Sequence, residues 1–371
     1  TCALPISNAI DDTCLRNRLV YDFASAVAGY DGFSPDCEFA DLYLNGEYAG
    51  LYLLCEKPAF SENRLNPEPG SFLYELTAYG SEDDWQCIPQ DSGMFAEIHT
   101  PEPCTGAQKE QFEKRLAELR SALLSSDSGQ DASSKSWTDG IDLDSWARKY
   151  LIEEIFENAD AGFFSQYFFW VPSEDRIYAG PCWDYDGAIG MFELFPNCFW
   201  AQRDHLNAAL YNPTYAALWE HESFRSYVTD LYQTAFLPEL NRLFDETIPY
   251  WSGKLGAALE MNRIRWYDSI EDVSDSIREM TAYLRQHVAF LNSAWVDGVS
   301  CCTITLKGTP GGSFLYFCVP EGSPCSSLPP PTALGAESEV WFLEDSGLPF
   351  DPDTVVTDSL ILTAYHPAVS D

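Results

Sequence analysis

The sequence is poor in cations. It carries 21 Lys and Arg against 58 Asp and Glu over 371 residues, a formal net charge of −37. No stretch clusters Lys and Arg over the length of several phosphates, which excludes nucleic-acid binding through a basic face. No apolar run reaches the roughly 18 residues of a membrane-spanning helix, so no transmembrane segment is expected. Twelve cysteines include no Cys-x-x-Cys, and the five histidines (His99, His205, His221, His287, His366) form no His-Glu-x-x-His or paired Cys/His set. That spacing argues against structural zinc. Apolar residues are not lacking: 46% hydrophobic and 15% aromatic suffice for a packed core, so the acidity does not denote charge-driven disorder. It denotes a solvated, self-repelling surface. With a screening length of about 8 Å at physiological salt, only the charges beside a site govern what binds there.

The first residue is Thr, and Thr1-Cys2-Ala3-Leu4-Pro5-Ile6 back-translates to the end of a common sequencing adapter. Thr1 to about Ser7 is therefore expected to be a gene-assembly artefact outside the fold, with native sequence from near Asn8. Asp12-Thr13 can cap a helix carrying Leu15, Leu19, Phe23 and Val27 at helical spacing. Asn45-Gly46, flanked by Phe39 to Leu44 and Tyr48 to Cys55, predicts a β-hairpin. Further strands fit Ser71 to Leu76 and Met94 to His99, and a helix fits Ala107 to about Leu124. Ser125 to Gly140 reads as a connector. From Asp142 a helical period places Leu143, Trp146, Tyr150, Leu151 and Ile155 on one face. Strands are expected at Gln166 to Val171 and Arg176 to Ala179, and helices from about Pro213 to Val296. After Gly298 short β-like runs (Thr303 to Leu306, Phe314 to Val319, Val340 to Leu343, Leu360 to Ala364) alternate with Gly and Pro. That last stretch holds one Lys against nine Asp and Glu. Cys14, Cys55 and Cys182 lie in apolar patterns and are expected as buried thiols. Cys301, Cys302, Cys318 and Cys325 can include one disulfide.

Acidic residues concentrate beside turns in two apolar settings: Glu157-Asn158-Ala159-Asp160, ending the Trp146 helix, and Pro181-Cys182-Trp183-Asp184-Tyr185-Asp186-Gly187, following a strand. Carboxylates so placed can hold a hard divalent cation or serve only as caps and turn formers.

Several runs resemble the spore-coat-protein-H (CotH) kinase family, in the family's order. They are Asp11 to Asn17 (DDTCLRN), Asp41 to Lys57 (DLYLNGEYAGLYLLCEK), Asn63-Arg64-Leu65, Phe72 to Leu76, Pro101-Glu102-Pro103, Asn158-Ala159-Asp160 and Trp183 to Asp186. The match runs from about Asn8 to Gly298. The resemblance implies an α+β fold: an atypical two-lobed protein-kinase-like domain, with a β-rich N-lobe over about 8–105 and a helical C-lobe over about 106–298. It implies phosphate transfer from ATP, with Mg²⁺ or Mn²⁺, to Ser or Thr of an unidentified secreted, coat or cell-surface protein. By position in the motifs, Asp160 corresponds to the catalytic aspartate that accepts the acceptor hydroxyl's proton. Asp184 or Asp186 corresponds to the metal-binding aspartate. Ser165 occupies the place of the second metal ligand, ordinarily Asn, with Asn158 as a substitute. Lys57, Arg64 and Arg16 are the matched basic residues that can neutralise phosphate, and Glu75 or Glu56 can orient such a base. Each basic residue can equally serve as an inter-element ion pair. His99 stands where the family has Lys and is assigned no role. The family's upstream Gly-x-Ser turn and paired-Lys strand precede the first matched run and are not found here, so this chain is expected to be a fragment that binds ATP poorly.

The last 73 residues (299–371) resemble one internalin-type bacterial surface repeat, a small β-grasp-like module. The likeness rests on Cys302 to Leu306, Leu328 to Thr332, Trp341-Phe342 and Phe350 to Tyr365, with a blurred Gly311-Gly312 turn and His366 in place of the terminal Trp. It implies an extracellular or cell-surface bacterial protein. A catalytically silent kinase-like scaffold or adhesion module is the alternative to an active kinase.

Overall fold

The computed structural model describes residues 3–81, 84–90, 94–124, 136–162, 164–191, 212–266, 272–308, 314–325, 328–334, 336 and 338–365. Most of the expected connector, Gly311-Gly312 and His366 lie outside the described residues. The architecture is mixed α+β. Among the described residues no helix is long and apolar enough to cross a membrane.

β1 (Ala3–Ile6) pairs antiparallel with the last residues of β3, at the edge of a three-stranded sheet ordered β1-β3-β2. Four of the residues expected outside the fold are thus an edge strand. Helix α1 (Arg16–Ala26) follows an Asp11-centred cap: the Asp11 carboxylate accepts the amides of Thr13 (3.1 Å) and Arg16 (2.9 Å), and Thr13 Oγ1 accepts that of Leu15 (3.1 Å). Of the expected Asp12-Thr13 pair, Thr13 takes part, while the carboxylate is that of Asp11 rather than Asp12. Leu15, Leu19, Phe23 and Val27 are buried as their spacing requires. Asn45 and Gly46 both take left-handed backbone (φ 53° and 86°), the conformation of a type I′ turn, and join β2 (Cys37–Leu44) to β3 (Glu47–Glu56).

A second, wholly antiparallel sheet is built from β4 (Phe72–Thr77), β5 (Cys87–Pro89), β6 (Phe95–Thr100), β7 (Gln166–Val171) and β8 (Arg176–Ala179), in the order β5-β6-β4-β7-β8. Its register sets Phe72 opposite Trp170 and Leu76 opposite Gln166. The sheet therefore draws strands from both sides of residue 105, where the two lobes were expected to divide. β7 is buried along its whole length, which fits its unbroken Tyr-Phe-Phe-Trp-Val run. Helix α2 (Gly106–Leu123), opened by a Thr105/Gln108 capping box, lies on this sheet: Phe112 stacks on Phe72, with centroids 5.2 Å apart.

The helical part comprises α3 (Trp137–Gly140), α4 (Leu143–Ile155), α5 (Pro213–Trp219), α6 (Glu222–Leu231), α7 (Leu237–Arg242), α8 (Ile248–Trp266) and α9 (Val273–Trp295). Two π-helical turns, Tyr232–Phe236 and Leu243–Thr247, splice α6, α7 and α8 into one continuous rod. α8 touches β3 at Gly50 (φ 127°), where an added Cβ would meet Trp266 Nε1 at 2.7 Å and Asn262 Oδ1 at 2.8 Å. Asn262 Oδ1 accepts the adjacent Leu51 amide at 2.9 Å. One apolar core runs from Cys14 to Trp295 through both sheets and the helices.

The C-terminal stretch has its own core, centred on Ile304, Leu306, Trp341, Phe350 and Leu362. Its strands are β9 (Cys301–Lys307), β10 (Phe314–Pro320), β11 (Ser323–Pro324), β12 (Phe342–Leu343), β13 (Val355–Val356) and β14 (Leu360–Thr363). Four of them form a sheet ordered β10-β9-β14-β12, in which β9 and β14 run parallel. Cys302 and Cys325, like Cys14, Cys55 and Cys182, are buried free thiols.

Candidate functional site

The site forms where α4 ends and where the chain leaves β8. Past α4, Glu157 turns into left-handed backbone (φ 45°) and the chain enters a 3₁₀ turn, Ala159–Gly162, carrying Asp160. The Asp160 amide donates to Asn158 Oδ1 (3.2 Å), and Asn158 Nδ2 donates to Glu153 Oε2 on α4 (2.7 Å). Ser165, just before β7, and Asp184, in the loop after β8, are also left-handed (φ 57° and 59°). Left-handed backbone at a non-glycine residue is costly and persists where surrounding contacts enforce it.

Those contacts come from α1 and α4. Asn17 and Tyr21, one turn apart on α1, grip the acidic loop: the Asp184 amide donates to Tyr21 Oη (3.0 Å) and the Tyr185 amide to Asn17 Oδ1 (2.7 Å). From the other side, the Tyr185 hydroxyl lies 2.8 Å from Lys149 Nζ and 2.7 Å from Glu153 Oε1, and Lys149 and Glu153 pair with each other. Lys149, Glu153, Tyr185 and Asn158 are all fully buried. One hydrogen-bonded block thus fixes the Asp160 turn against the Asp184 loop.

Within that frame the carboxyls of Asp160, Asp184 and Asp186 act on one another's charge. Burial, then Asp184 and Glu153, push the Asp160 carboxyl up to about 6. Burial, then Asp184, Asp11 and Asp160, push Asp186 up to about 7. Asp184 is raised by burial, partly offset by hydrogen bonds from Asp186 and Ser165. Glu75 on β4 behaves oppositely. Burial opposes its charge, but hydrogen bonds from His99 (3.1 Å), Tyr167 and the Ser165 amide (3.1 Å) prevail and hold it below the usual range. Ser165 thus donates its amide to Glu75 and acts to lower Asp184.

Of the residues singled out in the sequence, the structure brings together Asp160, Asp184, Asp186, Ser165 and Glu75. Asn158 is nearby but buried, with both ends of its amide engaged. Arg16 is only 4% exposed: it pairs with Asp11 and donates to the Ala188 (2.8 Å) and Ile189 (3.5 Å) carbonyls. Its donors are taken, so it acts as the inter-element staple that was the alternative to phosphate binding. Arg64 pairs with Glu56 at 2.5 Å and donates to the Lys57 carbonyl at 3.2 Å. Lys57 and Arg64 border a small cleft with Pro181 and Cys182, just before the acidic loop. Sequence reading missed Lys149, Glu153, Tyr185, Asn17 and Tyr21 as parts of the frame. The available signal was a Lys149/Glu153 pair at i,i+4 on the helix whose apolar face carries Trp146 and Tyr150.

Among the described residues, no three His, Cys, Asp or Glu side chains stand close enough to be a preassembled metal cage. Mg²⁺ does not demand one, because it is ordinarily held by one or two carboxylates together with water and substrate phosphates. The donor chemistry fits, since Asp160, Asp184 and Asp186 offer oxygen ligands, the kind a hard cation takes. A pH dependence follows. Asp160 and Asp186 titrate higher in the folded chain than the ordinary 3.8. Folding therefore takes up protons, and the stability this provides, full below about pH 4, is lost as pH rises through 6 to 7. Melting in EDTA is expected to fall in temperature between pH 5 and 8, and millimolar Mg²⁺ to recover it at pH 8. Asp186→Asn should flatten the profile. A melting temperature independent of pH in EDTA would show that the acids are not crowded.

An α+β protein that pins two acidic turns together with one buried polar block is the class defined by this geometry. The CotH kinase protein family matches residues 6–291, and the chain belongs to that family. It is similar to the inner spore coat protein H of Bacillus subtilis (strain 168), 25% identical over 296 residues that cover 76% of each chain. The C-terminal sheet lies beyond the matched residues.

Proposed function

We propose that the protein is a coat- or surface-associated phosphotransferase of the protein-kinase type. The observation that carries this reading is that Asp160, Asp184 and Asp186 lie on two turns fixed by one buried hydrogen-bonded block and act on one another's charge. In the reaction, a Ser or Thr hydroxyl oxygen of a coat or surface protein bonds to the γ-phosphorus of ATP. Its proton passes to the Asp160 carboxylate, and the bond to the β–γ bridging oxygen breaks with its electron pair leaving on ADP. Asp184 and Asp186 would hold a divalent cation, which would supply neutralisation of the phosphate charge. Ser165 and Glu75 hold Asp184 in position, and Lys57 and Arg64 face the phosphates from the neighbouring cleft. Positioning and charge neutralisation make up most of what such a transfer requires. The C-terminal sheet serves as an extracellular spacer or adhesion module of the internalin type.

The sequestration of Arg16 and Asn158 favours a second reading, a silent kinase-like scaffold, because fewer side chains remain for phosphate and metal. The two are separated by incubating the full chain with γ-labelled ATP, casein as a generic acceptor, and Mg²⁺ or EDTA. Labelling of casein or of the chain itself is expected to be weak, because this chain is expected to bind ATP poorly, but to depend on Mg²⁺ and to fall at least about 100-fold in Asp184→Ala, as loss of several kcal/mol of charge stabilisation requires. Equal labelling by wild type and variant supports the scaffold.

A further inference from the structure

The hairpin sets two cysteines against each other. Cys37 on β2 is the direct partner of Cys55 on β3. The Glu56 amide donates to the Asp36 carbonyl at 3.0 Å, which makes that neighbouring position hydrogen-bonded and Cys37/Cys55 a non-hydrogen-bonded pair. At such a pair the Cα atoms stand about 4.5 Å apart and the side chains are at their closest, inside the roughly 4.4–6.8 Å that a disulfide spans. No other pair of described cysteines faces across a strand register: Cys87 is opposite Glu97 and Cys302 opposite Val319.

The two thiols are not equivalent. They influence each other's charge, and Arg18 Nη1 lies 3.5 Å from Cys37 Sγ while donating to the Cys37 carbonyl. The hydrogen bond from Cys55, with burial in opposition and the Arg18 charge in support, holds the Cys37 thiol below its ordinary range. Cys55 is raised by the same bond and by burial. Cys37 is half-buried and Cys55 fully buried. A reagent from solvent therefore meets the more nucleophilic sulfur first, with its resolving partner directly behind it.

We propose that Cys37 and Cys55 form a dithiol site that closes to a disulfide by exchange with a small-molecule disulfide of the glutathione class. The Cys37 thiolate attacks one sulfur of the reagent, the reagent's S–S bond breaks, and one thiolate leaves. Cys55 then gives up its proton and attacks the Cys37 sulfur. The mixed disulfide breaks and the second thiol is released, so one disulfide is reduced as one is formed. Closure ties β2 to β3 one residue before Glu56, the partner of Arg64.

The test uses the full chain, reduced, desalted and incubated with oxidised glutathione, then read by intact mass and by peptide mapping without reductant. Wild type is expected to lose two hydrogens and to yield a peptide joining Cys37 to Cys55. Cys55→Ser should instead retain one glutathione on Cys37. Cys37→Ser should leave Cys55 unmodified, and Cys37 should react at least about tenfold faster than the other buried cysteines. The same mapping in denaturing urea, where the strands are separated, should lose the preference, and it needs no variant. A stable glutathione adduct on wild-type Cys37, attack on Cys55 first, or linkage to any other cysteine overturns the proposal.

Discussion

Lys149→Met is expected to cost about 3–5 kcal/mol of stability, the penalty for removing one partner of a buried ion pair. Methionine fills nearly the same space, so the loss is not a cavity effect. Glu153 would keep its contacts with Tyr185 and Asn158 but would lose its counter-charge at a fully buried position. In urea unfolding this reads as a lower midpoint with unchanged slope. The double change Lys149→Met/Glu153→Leu should recover much of the loss, because replacing a whole buried pair with apolar residues is often neutral. If the double variant is as unstable as the single one, the pair matters through the shape of the block rather than its charge. Because Tyr185 belongs to the same block, the single variant should also weaken the response of melting temperature to Mg²⁺.

Asp160→Asn is expected to lower phosphate transfer by about 10²–10⁴-fold, the usual worth of a positioned general base, on the reading of Asp160 proposed above. The amide keeps the shape and cannot accept the hydroxyl proton. The loss should fall on kcat, with KM for Mg-ATP little changed and Mg²⁺ still raising the melting temperature through Asp184 and Asp186. Asp184→Ala should lose both transfer and the Mg²⁺ response. The same Asn should raise metal-free stability above pH 6, since it removes one of three crowded carboxyls. A variant that transfers phosphate at the wild-type rate would take Asp160 out of the chemistry, whatever its effect on melting.

Local chemistry was easy to read in the sequence, and long-range chemistry was not. Asn45-Gly46 specifies its own turn, and β7 and β8 begin and end at the predicted residues, because each signal is contained in a few neighbouring side chains. Before α1 Thr13 accepts as expected, but the carboxylate is Asp11 rather than Asp12, because neighbouring aspartates are equally competent acceptors and only the fold chooses between them. For Arg16 both readings, phosphate ligand and ion pair, suit an isolated guanidinium. The carbonyls that occupy it lie 172 and 173 residues away. The grip of Asn17 and Tyr21 on the acidic loop has the same character: on a helix that also carries Arg16, Arg18, Asp22 and Ser25, neither bears a mark of what it bonds. The acidic runs themselves stood out, since carboxylates beside turns in apolar surroundings are visible without a fold.

The pairing of β4 with β7 has a consequence for how the chain can be divided. Phe72 and Trp170 are partners in one sheet, and the helix between them leans on both strands. A backbone cut between α2 and α3 would separate the sequence without separating the fold, leaving two pieces each with an unpaired strand edge made for the other. Neither piece alone would keep that edge from solvent or from a neighbouring molecule. Expressed separately, the halves should aggregate. Expressed together, they should copurify as one particle, with the Asp160 and Asp184 turns both on the second piece and the α1 clamp on the first.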